Sequence, residues 1–163
     1  MERIKANDPD AMSQMGTKLF YEGDYVKAVE YWTKAAELGD VGAHYQLGHS
    51  YHEGDVVEMD KEKALYHYEK AAIGGHPSAR HNLGCTEGQN GNNESAVKHF
   101  IIAANLGYEL SMKALWKHYS AGNITKEELE ATLRTHKAAL DEMKSPEREA
   151  AKKAWLGINM CLE

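Results

Sequence analysis

The chain has 163 residues, of which 42% are hydrophobic and 27% are charged, and its formal net charge is −6. This composition supplies enough apolar side chains for a core, so it excludes a wholly disordered protein. The net negative charge repels a phosphate backbone, which disfavours a general nucleic-acid-binding role. Prolines and phenylalanines are few, while alanine, glutamate, lysine and leucine recur, so the chain favours helices over a β-sandwich.

Neither the N-terminal segment nor the cysteines indicate export. Residues 1–8 contain no apolar run, so no signal peptide is expected there. The longest apolar clusters, such as residues 100–104, are far shorter than the ~20 residues that span a bilayer. Cys85 and Cys161 fall in different parts of the chain, which fits two unpaired thiols in a reducing compartment. We therefore expect a cytoplasmic protein with no membrane partner.

The first repeated element is a helix in which a small, a large and a small residue follow at fixed spacing. Two helices can approach closely at such a pattern, with the glycine at the crossing point. Three copies and the beginning of a fourth are found, at Ala11-x-x-x-Met15-Gly16, Ala43-x-x-x-Leu47-Gly48, Ala79-x-x-x-Leu83-Gly84 and Ser111-x-x-x-Leu115-Trp116.

A second helix follows each first helix and carries a large aromatic residue four positions after an alanine, on one helical face. These aromatic residues are Trp32, Tyr68 and Phe100. The glycines that close the three repeats lie 36 and then 32 residues apart. The repeating unit is therefore a helix hairpin of 32–36 residues.

The connections between these helices carry the expected capping residues. A left-handed C-cap is predicted after each second helix, at Gly39, Gly75 and Gly107. An N-cap is predicted before each second helix, at Asp24, Asp60 and Asn93.

The repeat pattern decays after the third hairpin. Thr125 and Glu128 form a capping box that opens a helix to about residue 140. Ser145 followed by Pro146 opens a last helix to about residue 160. Trp116 replaces the repeat glycine and cannot allow the same close crossing, so the last hairpin is expected to pack differently. We interpret 111–163 as a degenerate hairpin and cap that covers the end of the array. Trp32, Trp116 and Trp155 are all expected in the core.

The second repeat resembles a Sel-1-like repeat, a relative of the tetratricopeptide repeat. Beyond the two helix cores, the matching positions include Tyr51, Gly54, Val57, Asp60 and Lys63. Repeats 1 and 3 match the helix cores but not the loop, and look closer to tetratricopeptide units. The predicted organisation is a single domain, 1–163, with repeats at about 10–42, 43–78 and 79–110 and the cap at 111–163.

The resemblance implies an all-α protein, a right-handed α-α superhelix (solenoid) of stacked helix hairpins with a C-terminal helical cap. In such families the first helices line a concave face. The families generally supply adaptor or scaffold surfaces without catalysis, so we expect no enzyme, no cofactor and a protein or peptide partner. Fold-level resemblance does not by itself fix function.

One stripe of each first helix remains for the groove once the core positions are removed. It carries aromatic, imidazole and ammonium groups and no carboxylate. We therefore expect a peptide whose acidic segment lies over the two lysines at one end. The candidate partner-binding residues are Ser13, Thr17, Phe20, Tyr45, His49, His52, His81, Cys85, Lys113 and Lys117.

Four alternatives compete with this hypothesis. His81 with Cys85, and His49 with His52, share helical faces as metal ligands would, yet no recognised zinc spacing is present, so no metal is expected. The chain has no phosphate loop and none of the common hydrolase motifs. An RNA-reading repeat would be longer and basic. Self-association is the main alternative, through a first-repeat edge formed by Met12, Met15, Leu19 and Phe20.

Overall fold

The computed structural model describes residues 8–144, and this part of the chain folds into eight α-helices without a strand. The first six helices have 13 residues each. This regularity confirms the predicted all-α class built from repeated hairpins. The helices are α1 Pro9–Tyr21, α2 Tyr25–Glu37, α3 Val41–Glu53, α4 Lys61–Ile73, α5 Pro77–Gln89, α6 Asn93–Asn105, α7 Glu109–Ser120 and α8 Lys126–Met143.

Each of the first seven helices packs mainly against the helices that precede and follow it in the chain. The most extensive contacts lie within the pairs α1–α2, α3–α4 and α5–α6, and smaller ones join α2 to α3, α4 to α5 and α6 to α7. The first helices α1 and α3 also touch one another. Contacts between neighbours in sequence are those of a solenoid, in which each unit buries its apolar face against the next.

A glycine beneath an aromatic ring fixes the crossing of the two helices in each of the first three hairpins. A Cβ atom on Gly16 would lie 2.6 Å from the Trp32 ring, and one on Gly48 would lie 2.7 Å from the Tyr68 ring. Gly84 has the same relation to Phe100, at 2.7 Å. Real Cβ atoms do not approach this closely, so only glycine lets the backbone meet the ring. The helix pairing predicted from the repeated pattern is present in all three hairpins.

The predicted helix ends are confirmed with one exception. Gly39, Gly75 and Gly107 have positive φ, and the carboxylates of Asp24 and Asp60 accept the N–H groups of Lys27 and Lys63. The N-cap of α6 is Asn92 instead of Asn93. Gly91 turns the chain with a φ of 82°, and Asn92 then has a non-helical conformation that leaves Asn93 as the first helical residue.

The eighth helix departs from the repeat. Thr125 and Glu128 form the predicted capping box, and the helix continues to Met143. Buried His136 places an imidazole nitrogen 2.7 Å from the carbonyl oxygen of Ala104, and this contact ties α8 to the end of α6. In the last hairpin α8 takes the place of the second helix, and it therefore packs against both α6 and α7. The predicted helix from Ser145 to about residue 160, with Trp155, lies outside the described residues.

Trp116 is not a core residue, so this prediction is wrong. Its side chain is 49% exposed, and its ring meets that of Tyr119 edge-on with centroids 6.2 Å apart. In the three earlier hairpins this position faces the second helix, where only glycine fits. α8 contains no phenylalanine, tyrosine or tryptophan, so its own hairpin has no such ring to meet α7 at the Trp116 position. Trp32 is buried, as predicted.

Two histidines meet inside the second hairpin. The Nδ1 atoms of His44 on α3 and His67 on α4 are 2.9 Å apart, so one ring donates and the other accepts. Burial lowers the pKa of His67 to about 4, and the nearby His44 adds to the effect. Burial also lowers the pKa of His44. Both lowered pKa values favour the neutral rings at pH 7, and the hydrogen bond needs at least one of the two Nδ1 atoms to be unprotonated so that it can accept.

Replacing Gly48 by alanine tests the crossing. The added methyl group meets the Tyr68 ring, so we expect Gly48→Ala to lower the free energy of unfolding by about 1–3 kcal/mol. Gly88→Ala is the control, since its Cβ would lie 3.8 Å from Ala96 Cβ, an ordinary contact. Helix propensity makes that change neutral or stabilising by up to about 1 kcal/mol. Urea unfolding measures both, and equal effects would contradict the crossing model.

The histidine pair predicts a pH dependence of stability. The unfolded chain takes up a proton near the ordinary histidine pKa of about 6.5, whereas folded His67 resists protonation down to about pH 4. The stabilisation is therefore complete above pH 6.5 and is lost as the pH falls from about 6.5 to 4. The urea midpoint should fall across this window, and less so in His67→Gln than in the control variant His49→Gln. An equal fall in both variants would argue against the pair.

Candidate functional site

A cleft of about 270 Å³ lies between the first helices α3 and α5. The buried Tyr68 of α4 reaches it from below the two helices. We call this site the α3–α5 cleft. Its lining residues are Tyr45, His49, His52 and Glu53 from α3, Asn82, Cys85, Thr86 and Gln89 from α5, and Tyr68.

Aromatic rings in contact with one another line one side of the α3–α5 cleft. Tyr45 stacks on His76 with centroids 4.2 Å apart and on His49 at 6.3 Å. The Nδ1 atom of His76 accepts the N–H of Ala79 at the start of α5, which holds this ring in place. Burial lowers the pKa of His76, so it stays neutral and keeps this acceptor. The stacked rings are therefore fixed by the fold before any partner arrives.

The other end of the cleft carries a carboxylate. Glu53 is the last residue of α3, and its Oε1 atom lies 2.9 Å from Nδ1 of His52. The pKa of Tyr68 is raised to about 12, mainly by burial and to a smaller extent by the nearby Tyr45 and the negative charge of Glu53. Tyr68 therefore keeps its phenolic proton at all physiological pH values. The presence of Glu53 corrects the expectation that the groove has no carboxylate.

The structure brings four of the ten sequence-predicted site residues together in this cleft. They are Tyr45, His49, His52 and Cys85. The His49, His52 and Cys85 side chains are exposed, whereas Tyr45 is half-buried. Burial raises the pKa of the Cys85 thiol, so it remains protonated at neutral pH.

The three candidates from the first repeat pack within the fold instead of lining this cleft. Ser13 is buried because α3 covers it; a Cβ on Gly42 would lie 3.6 Å from its Oγ atom. Thr17 accepts a hydrogen bond from Nε1 of Trp32 at 3.4 Å. The ring of Phe20 lies 5.7 Å from that of Trp32. Trp32 is large enough to contact both Thr17 and Phe20, so these two side chains pack on the core of the first hairpin.

His81 of α5 contacts both the neighbouring helix α7 and a cysteine of its own helix. Its Nδ1 atom lies 2.9 Å from Oγ of buried Ser111 on α7, and its Nε2 atom lies 3.5 Å from Sγ of Cys85. Burial lowers the pKa of His81, so its ring is neutral at pH 7. Further along the array, Lys113 and Lys117 are exposed on α7, one turn apart.

Sequence reasoning missed several residues of the cleft. Glu53 lies four positions after His49, so helical spacing alone places both on one face. On α5, Asn82 lies three positions before Cys85 and Gln89 lies four positions after it, so the three residues share one helical face. Tyr68 was assigned to the core, and it is both buried and in contact with the cleft. The sequence pattern that marks Tyr68 as a core residue does not show that its side chain also borders a cleft.

A second cleft of about 520 Å³ lies on the opposite side of α3, between α2 and α4. The His44–His67 pair lines it, together with Tyr51 and Tyr66. Its rings contact one another, and Lys70 lies 5.5 Å above the centre of the Tyr66 ring. The two histidines of this cleft are already hydrogen-bonded to one another.

Residues 8–144 contain neither a cluster of metal ligands nor a helix suited to span a membrane. No three histidine, cysteine, aspartate or glutamate side chains in this span are grouped as metal ligands would be. None of the helices in the described span combines the length and the apolar character needed to cross a bilayer.

Comparisons with known proteins agree with the repeat structure. Two solved structures share the fold. A protective antigen present in uropathogenic Escherichia coli strains, displaying an SLR fold, is 26% identical with a TM-score of 0.70; the alignment covers 84% of this chain and 32% of that one. A Sel1 repeat protein from Oxalobacter formigenes is 29% identical with a TM-score of 0.69, over 83% and 60% of the two chains. The present chain thus spans less than two thirds of either protein. No curated protein matches the chain.

The family model for the Sel1 repeat matches three consecutive segments, 9–40, 41–76 and 77–108. All three repeats match, so the view that the first and third lie closer to tetratricopeptide units is corrected. The matched segments cover more than half of the chain and coincide with the three hairpins of the structure. The chain therefore belongs to the Sel1 repeat family.

Proposed function

We propose that this protein is a non-enzymatic interaction adaptor or scaffold that binds a segment of a partner protein in the α3–α5 cleft. The observation that carries the proposal is a preformed cleft in which the aromatic rings are fixed while His49, His52 and Cys85 stay exposed. Sel1 repeats are typically protein-interaction scaffolds. The predicted cytoplasmic location remains part of this proposal.

We expect Tyr45 to contribute the largest share of the binding free energy. Tyrosine gains a large contact area for little loss of conformational entropy, which makes it a frequent hot-spot residue. Stacking on His76 has already fixed its ring, so little further ordering is needed when a partner binds. The exposed imidazoles of His49 and His52 offer adaptable hydrogen-bond donors and acceptors beside it.

The two exposed lysines of α7 supply positive charge further along the array. Lys113 and Lys117 lie outside the α3–α5 cleft, in the next repeat. An acidic segment of the bound chain would lie over them, attracted by charge at long range and in a salt-dependent way. This end of the groove therefore sets orientation and association rate more than affinity.

Self-association is the second candidate function, and one observation favours it. At the turn between α1 and α2, Tyr21 is 81% exposed and Val26 is 73% exposed. The edge residues expected from the sequence are less available, since Met12 is buried and both Leu19 and Phe20 pack on the core of their own hairpin. The interface of a homo-oligomer would therefore lie at the turn between α1 and α2.

A peptide selection on the full chain tests the adaptor proposal. Peptides enriched on the protein should bind Tyr45→Ala and His49→Ala about five- to thirtyfold more weakly, since a hot-spot truncation costs on the order of 1–2 kcal/mol. Lys117→Glu should weaken acidic peptides in particular. Tyr66→Ala, which removes an exposed tyrosine from the opposite face, is the control. Unchanged binding in all three groove variants would refute the proposal.

The alternative makes a separate prediction. If the turn between α1 and α2 forms a homodimer, the mass measured by sedimentation equilibrium should rise with protein concentration, and Tyr21→Ser with Val26→Ser should abolish the rise. Both side chains are exposed, so the double variant should fold normally. A constant monomer mass for the unmodified protein would contradict this alternative.

A further inference from the structure

A carbonyl oxygen near the end of each second helix receives a side-chain donor from a later helix. These carbonyls belong to Ala36, Ala72 and Ala104, which hold equivalent places in α2, α4 and α6 and each accept the N–H of the following left-handed glycine. The ring of His44 donates to the first of them, and Nη2 of Arg80 donates to the second at 2.8 Å. A carbonyl oxygen has two lone pairs, so the side chain completes its hydrogen bonding.

The third carbonyl receives its donor from a different element. His44 and Arg80 directly follow the first small residue of the repeated pattern in α3 and α5, and the equivalent residue of α7 is Met112. Methionine has no hydrogen to donate. His136 of α8 takes over this role, with its Nδ1 atom 2.7 Å from the oxygen of Ala104. The attachment of α8 thus supplies the donor that the repeat lacks in α7.

Both nitrogens of the His136 ring face acceptors. Nε2 lies 3.2 Å from Oε2 of Glu109, in the first turn of α7, and the histidine side chain is only 5% exposed. Either neutral tautomer would point the lone pair of one bare nitrogen at an oxygen, with little water to separate them. The Glu109 side chain is 62% exposed, so it keeps its negative charge at neutral pH. Both hydrogen bonds are made at once only by an imidazolium, which carries a proton on each nitrogen.

The end of α6 also favours a positive charge at this place. α2 and α4 each carry a lysine in the last turn, Lys34 and Lys70, whereas α6 has no basic residue there. The C-terminal end of a helix has a partial negative charge, which attracts a cation within about the last turn. The ring of His136 lies against that end and beside the carboxylate of Glu109. These two partners offset the cost of burying its charge.

The other titratable groups near His136 leave this arrangement intact. Residues 100–106 of α6 and its C-cap contain no ionisable side chain, and on α8 the residues three and four positions from His136 are uncharged. Tyr108, which precedes α7, packs its ring against that of His81 with centroids 5.2 Å apart. The neighbouring cations are exposed to solvent: Lys113 of α7, and Arg134 and Lys137 of α8.

We propose that His136 is a charged latch, doubly protonated at neutral pH, that holds α8 against the end of α6 and the start of α7. Loss of its second proton loosens α8. Since Leu129 of α8 packs in a buried cluster with side chains of α6 and α7, a loosened α8 exposes apolar surface at the end of the array. The unfolded chain loses the corresponding proton near pH 6.5, so the latch stabilises the fold fully below about pH 6.5 and less as the pH rises. This dependence has the opposite sign to that of the His44–His67 pair.

Imidazole ¹⁵N chemical shifts of the full chain at pH 7 test the protonation state. We expect protonated shifts at both nitrogens of His136, against one protonated and one bare nitrogen in His67. Glu109→Gln should return His136 to one bare nitrogen, because the glutamine amide can donate to it. Glu62→Gln, an exposed change that also lies in the first turn of a helix, should leave His136 unaltered. A bare nitrogen in His136 of the unmodified chain, or no response to Glu109→Gln, would overturn the inference.

Hydrogen exchange of the full chain measures the loosening of α8. After correction for the intrinsic effect of pH on exchange, the amides of α8 should exchange about fivefold faster at pH 9 than at pH 6, with the amides of α4 as the internal reference. The difference between the two pH values should shrink in Glu109→Gln and persist in Glu62→Gln. Equal exchange of α8 at both pH values in the unmodified chain would contradict the latch, whatever the protonation state of the ring.

Discussion

The close contact between a glycine and an aromatic ring is the constraint on which the rest of this molecule depends. In each of the three hairpins, a first helix crosses a second helix where a Cβ atom would overlap the ring. The contact fixes how near the two helices lie and how each hairpin presents its flanks to the next. Since all three hairpins share it, they stack in a regular array, and the alanines beside the rings bury completely.

The same contact connects the fold to the candidate site. Tyr68 packs on Gly48 with one part of its side chain and borders the α3–α5 cleft with another. The cleft is therefore shaped by the hairpin's own core and does not depend on a mobile loop. Hydrogen bonding of His76 to the start of α5 fixes the ring on which Tyr45 stacks. Such preorganisation lowers the entropy cost of binding, which suits a surface meant for another polypeptide.

The sequence predicts the repeated parts of this structure well because identical physical requirements recur at fixed spacing. Gly16, Gly48 and Gly84, with their aromatic partners, identify the hairpins without any structural information. Trp116 was misjudged because the last hairpin has no such partner: α8 is drawn onto α6 by His136, a contact between residues 32 positions apart. The one-residue error at Asn92 arises from a turn in which two adjacent asparagines are equally suited to the cap.

The site was harder to predict because it depends on how the helices are rotated. Helical spacing correctly grouped Tyr45, His49 and His52, yet the same spacing in the first repeat pointed to Ser13, which α3 covers. Glu53 was missed because it ends its helix and lies just beyond the chosen stripe. Only the packed structure shows that this carboxylate and the side chains of Tyr45 and Tyr68 line one cleft.

The most direct measurement of the central claim is photo-crosslinking with a selected peptide, using benzoylphenylalanine in place of Gln89 or, in a separate variant, in place of Tyr66. Both positions are exposed; Gln89 lines the α3–α5 cleft, whereas Tyr66 lines the cleft between α2 and α4. A bound segment in the α3–α5 cleft predicts efficient crosslinking from position 89 and none from position 66. Equal crosslinking from both, or crosslinking from position 66 alone, would contradict the account.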